Sequence, residues 1–296
     1  MKKDYIIVAL KYSKSNGIRT LYRLADALVS RGYNAYMFAP ASDEINCNFL
    51  TKITKAMKQN AIVVYPELIY GNPLNFNNVV RYVLYYPGKL GGEKKYNSQE
   101  LIITFSSMYY QNVPVLSIPC LDKNIFYKDD SIKKDIDCYF VYKGGKWKKI
   151  EEFKNMVEIN KNYPAKRQDL GDLLRRTKTL YSYDDHSLLL DEAIECGCKV
   201  KIVRQDGFED YVSNYSNLVN NFDDQIEYFI KITQELDNKK AYKRNLSSVS
   251  LKNRMKYYIF KSICYIYKTI FNDIQRAYNY WFRAEVQLKL SKKNRT

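Results

Sequence analysis

Tyr5-Ile-Ile-Val-Ala-Leu10 is a continuous apolar run of strand length, and the residues after it decide the fold. A polar turn over Lys11–Asn16 leads to Gly17. Beyond it Ile18, Leu21, Leu24, Ala25 and Leu28 recur at helical spacing. Arg31-Gly32 closes that helix with a basic last turn and a glycine stop. Tyr33–Ala39 is then a second strand. A strand, a helix and a strand in this order form a β-α-β unit, which requires a parallel sheet.

Outward from this unit the alternation continues. Ala61–Tyr65 reads as a strand, and Leu101–Phe105 and Val115–Ile118 as further short apolar runs. Asn78–Tyr85 is expected to be helical as far as Pro87-Gly88. After about residue 127 the pattern restarts. Strands are expected at Asp137–Tyr142, Met156–Ile159, Thr179–Tyr183 and Lys199–Val203. Helices are expected at Gln168–Thr177, Ser187–Glu195 and Phe222–Leu236, the last opened by Asp223-Asp224 near its positive dipole end. With Asp122–Lys134 read as a polar linker, the expected organisation is a first Rossmann-like domain over 1–127, a second over 128–245 and a tail over 246–296.

The composition agrees with two folded domains: 296 residues, 46% hydrophobic, 27% charged and 15% aromatic. Six scattered cysteines without a CxxC pair suggest neither a zinc module nor a disulfide framework. A lone histidine, His186, argues against a multi-histidine metal site. No apolar stretch reaches the ~18 residues of a transmembrane span, and the first apolar run is too short for a signal peptide. A reducing cytoplasmic location is the resulting expectation.

The net charge of +16 invites a nucleic-acid reading, but its distribution argues otherwise. Residues 241–296 carry 13 Lys and Arg against Asp273 and Glu285, leaving the first 240 residues at 35 against 30. In that tail Met255, Ile259, Ile263, Ile266, Ile270, Ile274 and Trp281 fall at steps that keep one helix face apolar, with basic residues elsewhere. A basic amphipathic helix bordered by tyrosines is built to lie on an anionic membrane surface. Lys252, Lys256, Tyr258, Ile259, Lys261, Ile263, Tyr267 and Trp281 are its expected contacts. Packing on the body and homo-oligomerisation are the alternatives. Nucleic-acid binding explains the charge but not the stripe, and no recognition module accompanies it.

Three segments carry a family resemblance. Ser15-Asn-Gly-Ile-Arg-Thr-Leu-Tyr-Arg-Leu-Ala-Asp-Ala-Leu28 with Arg31-Gly32-Tyr33 resembles the first loop and helix of GT-B glycosyltransferases. Val64-Tyr-Pro-Glu-Leu-Ile-Tyr-Gly-Asn-Pro-Leu74, Asn78-Val-Val-Arg81 and Pro87-Gly88 resemble a segment of bacterial surface-polysaccharide transferases. Leu180-Tyr-Ser-Tyr-Asp184, Leu190-Asp-Glu192-Ala193 and Cys196-Gly-Cys198 are similar to the donor-site motif of their second domain. The resemblance implies a GT-B fold, two Rossmann-like domains facing a cleft. It also implies sugar transfer from a nucleoside diphosphate donor such as a UDP-sugar to a lipid-linked glycan, in O-antigen or capsule synthesis. The protein would be peripheral at the inner face of the cell membrane and would need no cofactor or metal. A non-catalytic membrane-bound scaffold is the alternative.

The candidate site residues come from both lines of reading. Tyr183, His186 and Ser187 lie at the start of a helix whose N-terminus would face a diphosphate. Glu192 would meet ribose hydroxyls, as the family's matching glutamate does, and Asp184 completes an acid-x7-Glu spacing that implies a sugar contact. Ordinary capping and a solvated carboxylate are the competing readings. Lys143 and Lys146 flank Gly144-Gly145 after a strand end, where a lysine supplies point charge to a leaving diphosphate or belongs to a surface hairpin. In the first domain Asn16 and Gly17 lie where acceptor and sugar would meet. Glu67 is a candidate base, substrate contact or structural carboxylate; Asn72, read as a turn, is a candidate acceptor or cleft contact, and Arg81 reads as a phosphate or acceptor contact or a solvated helix charge. Asp135-Ile-Asp137 fits a DxD pattern but precedes a strand and is discounted.

Overall fold

The computed structural model describes residues 2–13, 15–42, 45–50, 52–141, 151–160 and 162–242. The tail contacts expected from Lys252 to Trp281, and Lys143 and Lys146, lie outside these residues. The described chain is α/β and forms two compact units. Of the described residues, the first comprises those up to 119 together with 221–242, and the second lies within Cys120–Asn220. The divisions thus fall at 119/120, near the expected 127, and at 220/221; the expected start of a tail at 246 lies outside the described residues.

In the first unit β1 (Tyr5–Val8), α1 (Asn16–Ser30), β2 (Ala35–Phe38), α2 (Lys55–Asn60), β3 (Ile62–Pro66), β4 (Asn78–Val83) and β5 (Glu100–Thr104) build one sheet of order β2-β1-β3-β4-β5. Every pairing is parallel. Side chains alternate with period two, so Tyr5, Ile7, Ile62 and Val64 enter one core while Ile6, Val8, Val63 and Tyr65 enter the other. Helix α1 covers the first face, joined by Ile226, Phe229 and Ile230 of α6 (Phe222–Gln234). Hence the helix expected to end the second domain belongs to the first unit. Its return is fixed by Tyr5 Oη against Thr233 Oγ1 at 2.7 Å and by Arg31 against Asp223 and Glu227.

Asn78–Val83 is a strand, not the expected helix. All six residues are buried between β3 and β5. A central parallel strand covered on both faces reads as a continuous run, and Val79, Val80 and Val83 favour it through their branched Cβ. Arg81 breaks the apolar run and suggests a helix face, but its charge is satisfied inside. The run at Val115–Ile118 makes only a single bridge, Val115 to Thr104, while Leu116 and Ile118 enter the core.

The second unit contains β6 (Ile136–Phe140), a 3-10 turn over Glu151–Asn155, β7 (Val157–Ile159), α3 (Arg167–Arg176), β8 (Thr177–Ser182), α4 (Leu188–Glu195), β9 (Lys199–Arg204), β10 (Gly207–Asp210) and α5 (Tyr215–Val219). Its sheet has the order β10-β9-β8-β6-β7, parallel except for the β9–β10 hairpin. Counted within the unit, this is the same 2-1-3-4-5 order as in the first. Helices α3 and α4 cover one face through Leu174, Leu189 and Leu190.

The polar linker expected over 122–134 is part of this unit. Phe126 is fully buried in its core. Gly171 lets α3 approach closely, since a Cβ there would lie 2.6 Å from the Ile125 carbonyl oxygen, which accepts from Arg175 Nη1 at 2.8 Å. Lys134 Nζ caps the ends of α3 and α4 together, within 3.2 Å of the Arg175, Thr177 and Cys196 carbonyls. The linker's polarity therefore reflects capping rather than looseness.

Candidate functional site

A 2-1-3-4-5 parallel order reverses direction between its first and third strands, and in such sheets ligands bind beyond the carboxyl ends of the strands at that reversal. The reversal lies between β1 and β3 in the first unit and between β6 and β8 in the second. Sequence candidates fall at both.

In the second unit β8 runs into Tyr183-Asp184-Asp185-His186-Ser187 and then α4. The Ser182 hydroxyl donates to the Asp184 carbonyl at 2.6 Å, and Asp184 Oδ1 accepts the His186 N–H at 3.0 Å. These bonds fold the segment into a tight turn. Ser187 caps α4, its Oγ accepting from Leu189 N at 3.4 Å, as expected. Asp184 is only 5% exposed, yet its Oδ2 has no hydrogen-bond partner among the described residues. A buried carboxylate oxygen of this kind calls for a donor.

His186 Nε2 lies 3.3 Å from Asp185 Oδ1, and Asp185 Oδ2 lies 3.0 Å from Arg204 Nη1. Glu192 projects from the second turn of α4 and is buried, with Oε1 2.8 Å from Arg167 Nη2. The Arg167 guanidinium stands 4.7 Å from the Phe126 ring centroid, so Glu192 is held by an arginine that is itself held. A solvated carboxylate is therefore not what the sequence placed here. Next to it Asp191 accepts from Ser213 and Tyr211, and burial pushes its carboxyl above the ordinary range. Tyr183 serves packing: it is buried and meets Phe153 edge-on at 6.1 Å.

In the first unit Glu67 follows β3 directly. It is buried, and its Oε2 accepts Leu84 N–H at 3.1 Å, tying the end of β3 to the end of β4. Gly92 (φ +72°) crosses above it so closely that a Cβ would fall 1.8 Å from the Glu67 carbonyl oxygen. Only glycine fits there. Asn16 opens α1, and its Oδ1 is buried without a partner among the described residues. Gly17 rests against Leu84, where a Cβ would meet Cδ1 at an ordinary 3.7 Å.

Two expectations for this unit need correction. Arg81 is fully buried in β4 rather than solvated or open to an acceptor. Its Nε lies 2.7 Å from Glu100 Oε2, and its terminal nitrogens donate to the Pro66, Ile69 and Gly71 carbonyls. Burial opposes the guanidinium's charge, and Glu100, Tyr242 and Glu93 together raise its pKa nonetheless. Tyr242 completes the cluster, its hydroxyl 2.5 Å from Glu100 Oε1. Asn72 is likewise spent internally: it accepts from Tyr65 and Phe76 and donates to the Phe76 carbonyl at 2.7 Å. Both are scaffold because each has its polar atoms engaged within the protein.

Sequence reasoning missed Glu100, Tyr96, Arg167, Asp185 and Arg204. Glu100 had a signal: it and Arg81 are opposite charges at the head and middle of two apolar runs. The discounted residues behave structurally. Asp135 pairs with Arg176 at 2.9 Å, and Asp137 accepts from Thr179 N. Burial pushes the Cys196 thiol up to about 11 and that of Cys198 up to about 12, so both are neutral packing groups. Among the described residues no group of His, Cys, Asp and Glu is arranged to hold a metal ion, and no helix is long and apolar enough to cross a membrane.

No protein-family model matches the chain, and no curated protein matches it. The functional reading therefore rests on the geometry of the two sheet edges and on the motifs along the sequence.

Proposed function

We propose that this protein is a GT-B glycosyltransferase that moves a sugar from a nucleoside diphosphate donor to a hydroxyl of a lipid-linked glycan, at the inner surface of a bacterial membrane. The observation that carries the reading is the position of Asp184, His186 and Ser187 just after β8, at the sheet's reversal point, with Glu192 on the second turn of the helix they open. The α4 N-terminus offers a positive dipole end to the diphosphate. Asp184 Oδ2 supplies an acceptor for a sugar hydroxyl, and Arg167 orients Glu192 toward the ribose.

In the step itself the acceptor oxygen forms a bond to the anomeric carbon while the bond from that carbon to the diphosphate oxygen breaks. The electron pair leaves with the diphosphate. The acceptor proton passes to a base, for which Glu67 at the first unit's edge is the candidate. Lys143 and Lys146 follow β6, the strand beside β8, and supply positive charge to the leaving group in this scheme.

Thermal unfolding with UDP, GDP, TDP and CMP tests the donor half. A nucleotide at a hundred times its dissociation constant stabilises a protein by about 2.7 kcal/mol. A panel of nucleotide sugars with mass-spectrometric detection of glycolipid product tests the whole. No stabilisation by any nucleotide, together with unchanged activity in Glu192→Ala, would sink the proposal in favour of a non-catalytic scaffold.

A further inference from the structure

We propose that Tyr242, Glu100 and Arg81 couple the chain leaving the first unit to the turn that carries Glu67. An anionic membrane surface that takes up residues 243–296 thereby resets that turn. After α6 the chain passes the amino ends of the strands. Gln234 Oε1 accepts Lys3 N–H at 2.8 Å, and Asn78 Oδ1, at the head of β4, accepts Asn238 N–H at 3.0 Å. Tyr242 then enters the core that holds Ile6, Val8 and Tyr65, and its hydroxyl donates to Glu100, the first residue of β5, at 2.5 Å. Glu100 Oε2 accepts Arg81 Nε at 2.7 Å. From the middle of β4 the guanidinium reaches forward to the Pro66, Ile69 and Gly71 carbonyls at 3.2, 2.6 and 2.7 Å. Glu67 lies between the first two of these. A continuous chain of buried hydrogen bonds thus runs from the amino edge of the sheet, where the tail begins, to its carboxyl edge.

A network transmits only if it has two arrangements. The second exists here because another donor stands unspent. Tyr96 Oη is buried with no partner among the described residues. The Arg81 guanidinium lies 5.3 Å from the Tyr96 ring and 5.2 Å from the Tyr65 ring. Burial keeps the Tyr96 phenol neutral, and it feels the charges of Glu67 and Glu100. With Tyr242 seated, Glu100 has its hydroxyl donor and Tyr96 lacks an acceptor. With Tyr242 withdrawn, a buried carboxylate oxygen is left unsatisfied, and Tyr96 supplies the hydrogen bond instead. The exchange of one tyrosine for the other shifts the ion pair as a body, and with it the carbonyls that Arg81 holds around Glu67.

The sequence after Tyr242 identifies what acts on the switch. Residues 243–296 hold 13 Lys and Arg against Asp273 and Glu285, so an anionic surface attracts the chain where the network starts. Apolar positions at helical spacing among those charges favour a lipid surface over a nucleic acid. The inference rests on the transferase reading for the task of Glu67, but not for the coupling.

Hydrogen exchange on the full chain tests it, with vesicles of phosphatidylglycerol and phosphatidylcholine in equal parts and with phosphatidylcholine alone. The amides of Gly71 and Leu84 are the reporters, held by Glu93 and Glu67. Anionic vesicles should change their exchange by about threefold to tenfold, with β1 unmoved and no response to phosphatidylcholine alone. Tyr242→Phe keeps the ring in the core but removes the hydroxyl. Without vesicles it should already show the lipid-bound rates, and with them it should respond no further. If that variant does not fold, Tyr96→Phe decides in its place, since loss of the replacement donor should abolish the lipid response. No response of the wild type to anionic vesicles, or a wild-type response in the variant, overturns the inference. Nucleotide-induced thermal shifts on the same samples separate the two ideas. A shift without a lipid response refutes the coupling and leaves the transferase, while a lipid response without any shift does the reverse.

Discussion

The two units share a strand order, yet they handle the charge near the carboxyl edges of their sheets in opposite ways. In the first, Arg81 and Glu100 are sealed inside the sheet with Tyr242, and every nitrogen of the guanidinium is engaged. In the second, the ion pairs lie at the rim: Arg167 with Glu192, and Arg204 with Asp185, each with part of the arginine still in solvent. Topology brings residues to an edge, and local packing then decides whether they become scaffold or remain addressable. A sealed pair fixes the backbone of β3, β4 and β5. A rim pair can exchange partners when a ligand arrives.

The contrast is open to direct attack, starting where the largest loss is expected. Glu100→Gln leaves a buried guanidinium without its counter-ion, which costs about 3–5 kcal/mol in urea unfolding. A cost below about 1 kcal/mol would mean that the pair is not sealed. Asp184→Asn keeps the acceptor for His186 N–H but changes the oxygen that awaits a donor. Transfer activity should fall roughly a hundredfold, about 2.7 kcal/mol in barrier, with unfolding unchanged. Equal loss of stability and activity would make Asp184 scaffold instead.

Arg167→Met removes the partner of a nearly buried carboxylate and should destabilise by about 2 kcal/mol. It should also raise the KM for the donor more than it lowers kcat, because Glu192 would be left disoriented. The smallest effect concerns pH. Burial raises the carboxyl pKa of Asp191 above the ordinary 3.8, so its neutral form favours the folded state. That stability is fully present below 3.8 and is lost as pH rises through the folded value. The stability of wild type minus that of Asp191→Asn should therefore decline as pH rises from about 3.8 and then level off. A difference independent of pH would show that Asp191 is not desolvated.

Legibility in the sequence divides along the same line. Strands and helices whose partners are local were legible: Tyr5–Val8 with α1, and β8 with α4 and its Ser187 cap, all announce themselves by period and punctuation. Asn78–Val83 was not, because one buried charge in an apolar run looks like a helix face until its partner, 19 residues away, is known. The boundary at 220 was hidden for a related reason. Helix α6 carries the same amphipathic pattern whichever unit it covers, and tertiary contacts such as Tyr5 with Thr233, Arg31 with Asp223 and Ser117 with Gln225 decide the matter. At the site, Asp184, Ser187 and Glu192 were found through spacing. Tyr96 was missed because it lies on a connection that carries no periodic signal, and Arg167 because it opens α3 one residue before the helix expected from Gln168.

Tyr242 has a consequence for the order of events on the ribosome. The first unit is discontinuous, and the residue that closes its buried charge cluster is made some 140 positions after Glu100. Its sheet is threaded early, yet the hydroxyl that satisfies Glu100 and the helix that covers Tyr5 emerge only after the whole second unit. Domains generally fold as units while the chain is being made. Here the inserted unit is complete in sequence while its host still lacks a wall. The nascent chain therefore carries its earliest segment as its last unfinished one, a state in which a chaperone would meet an open apolar sheet.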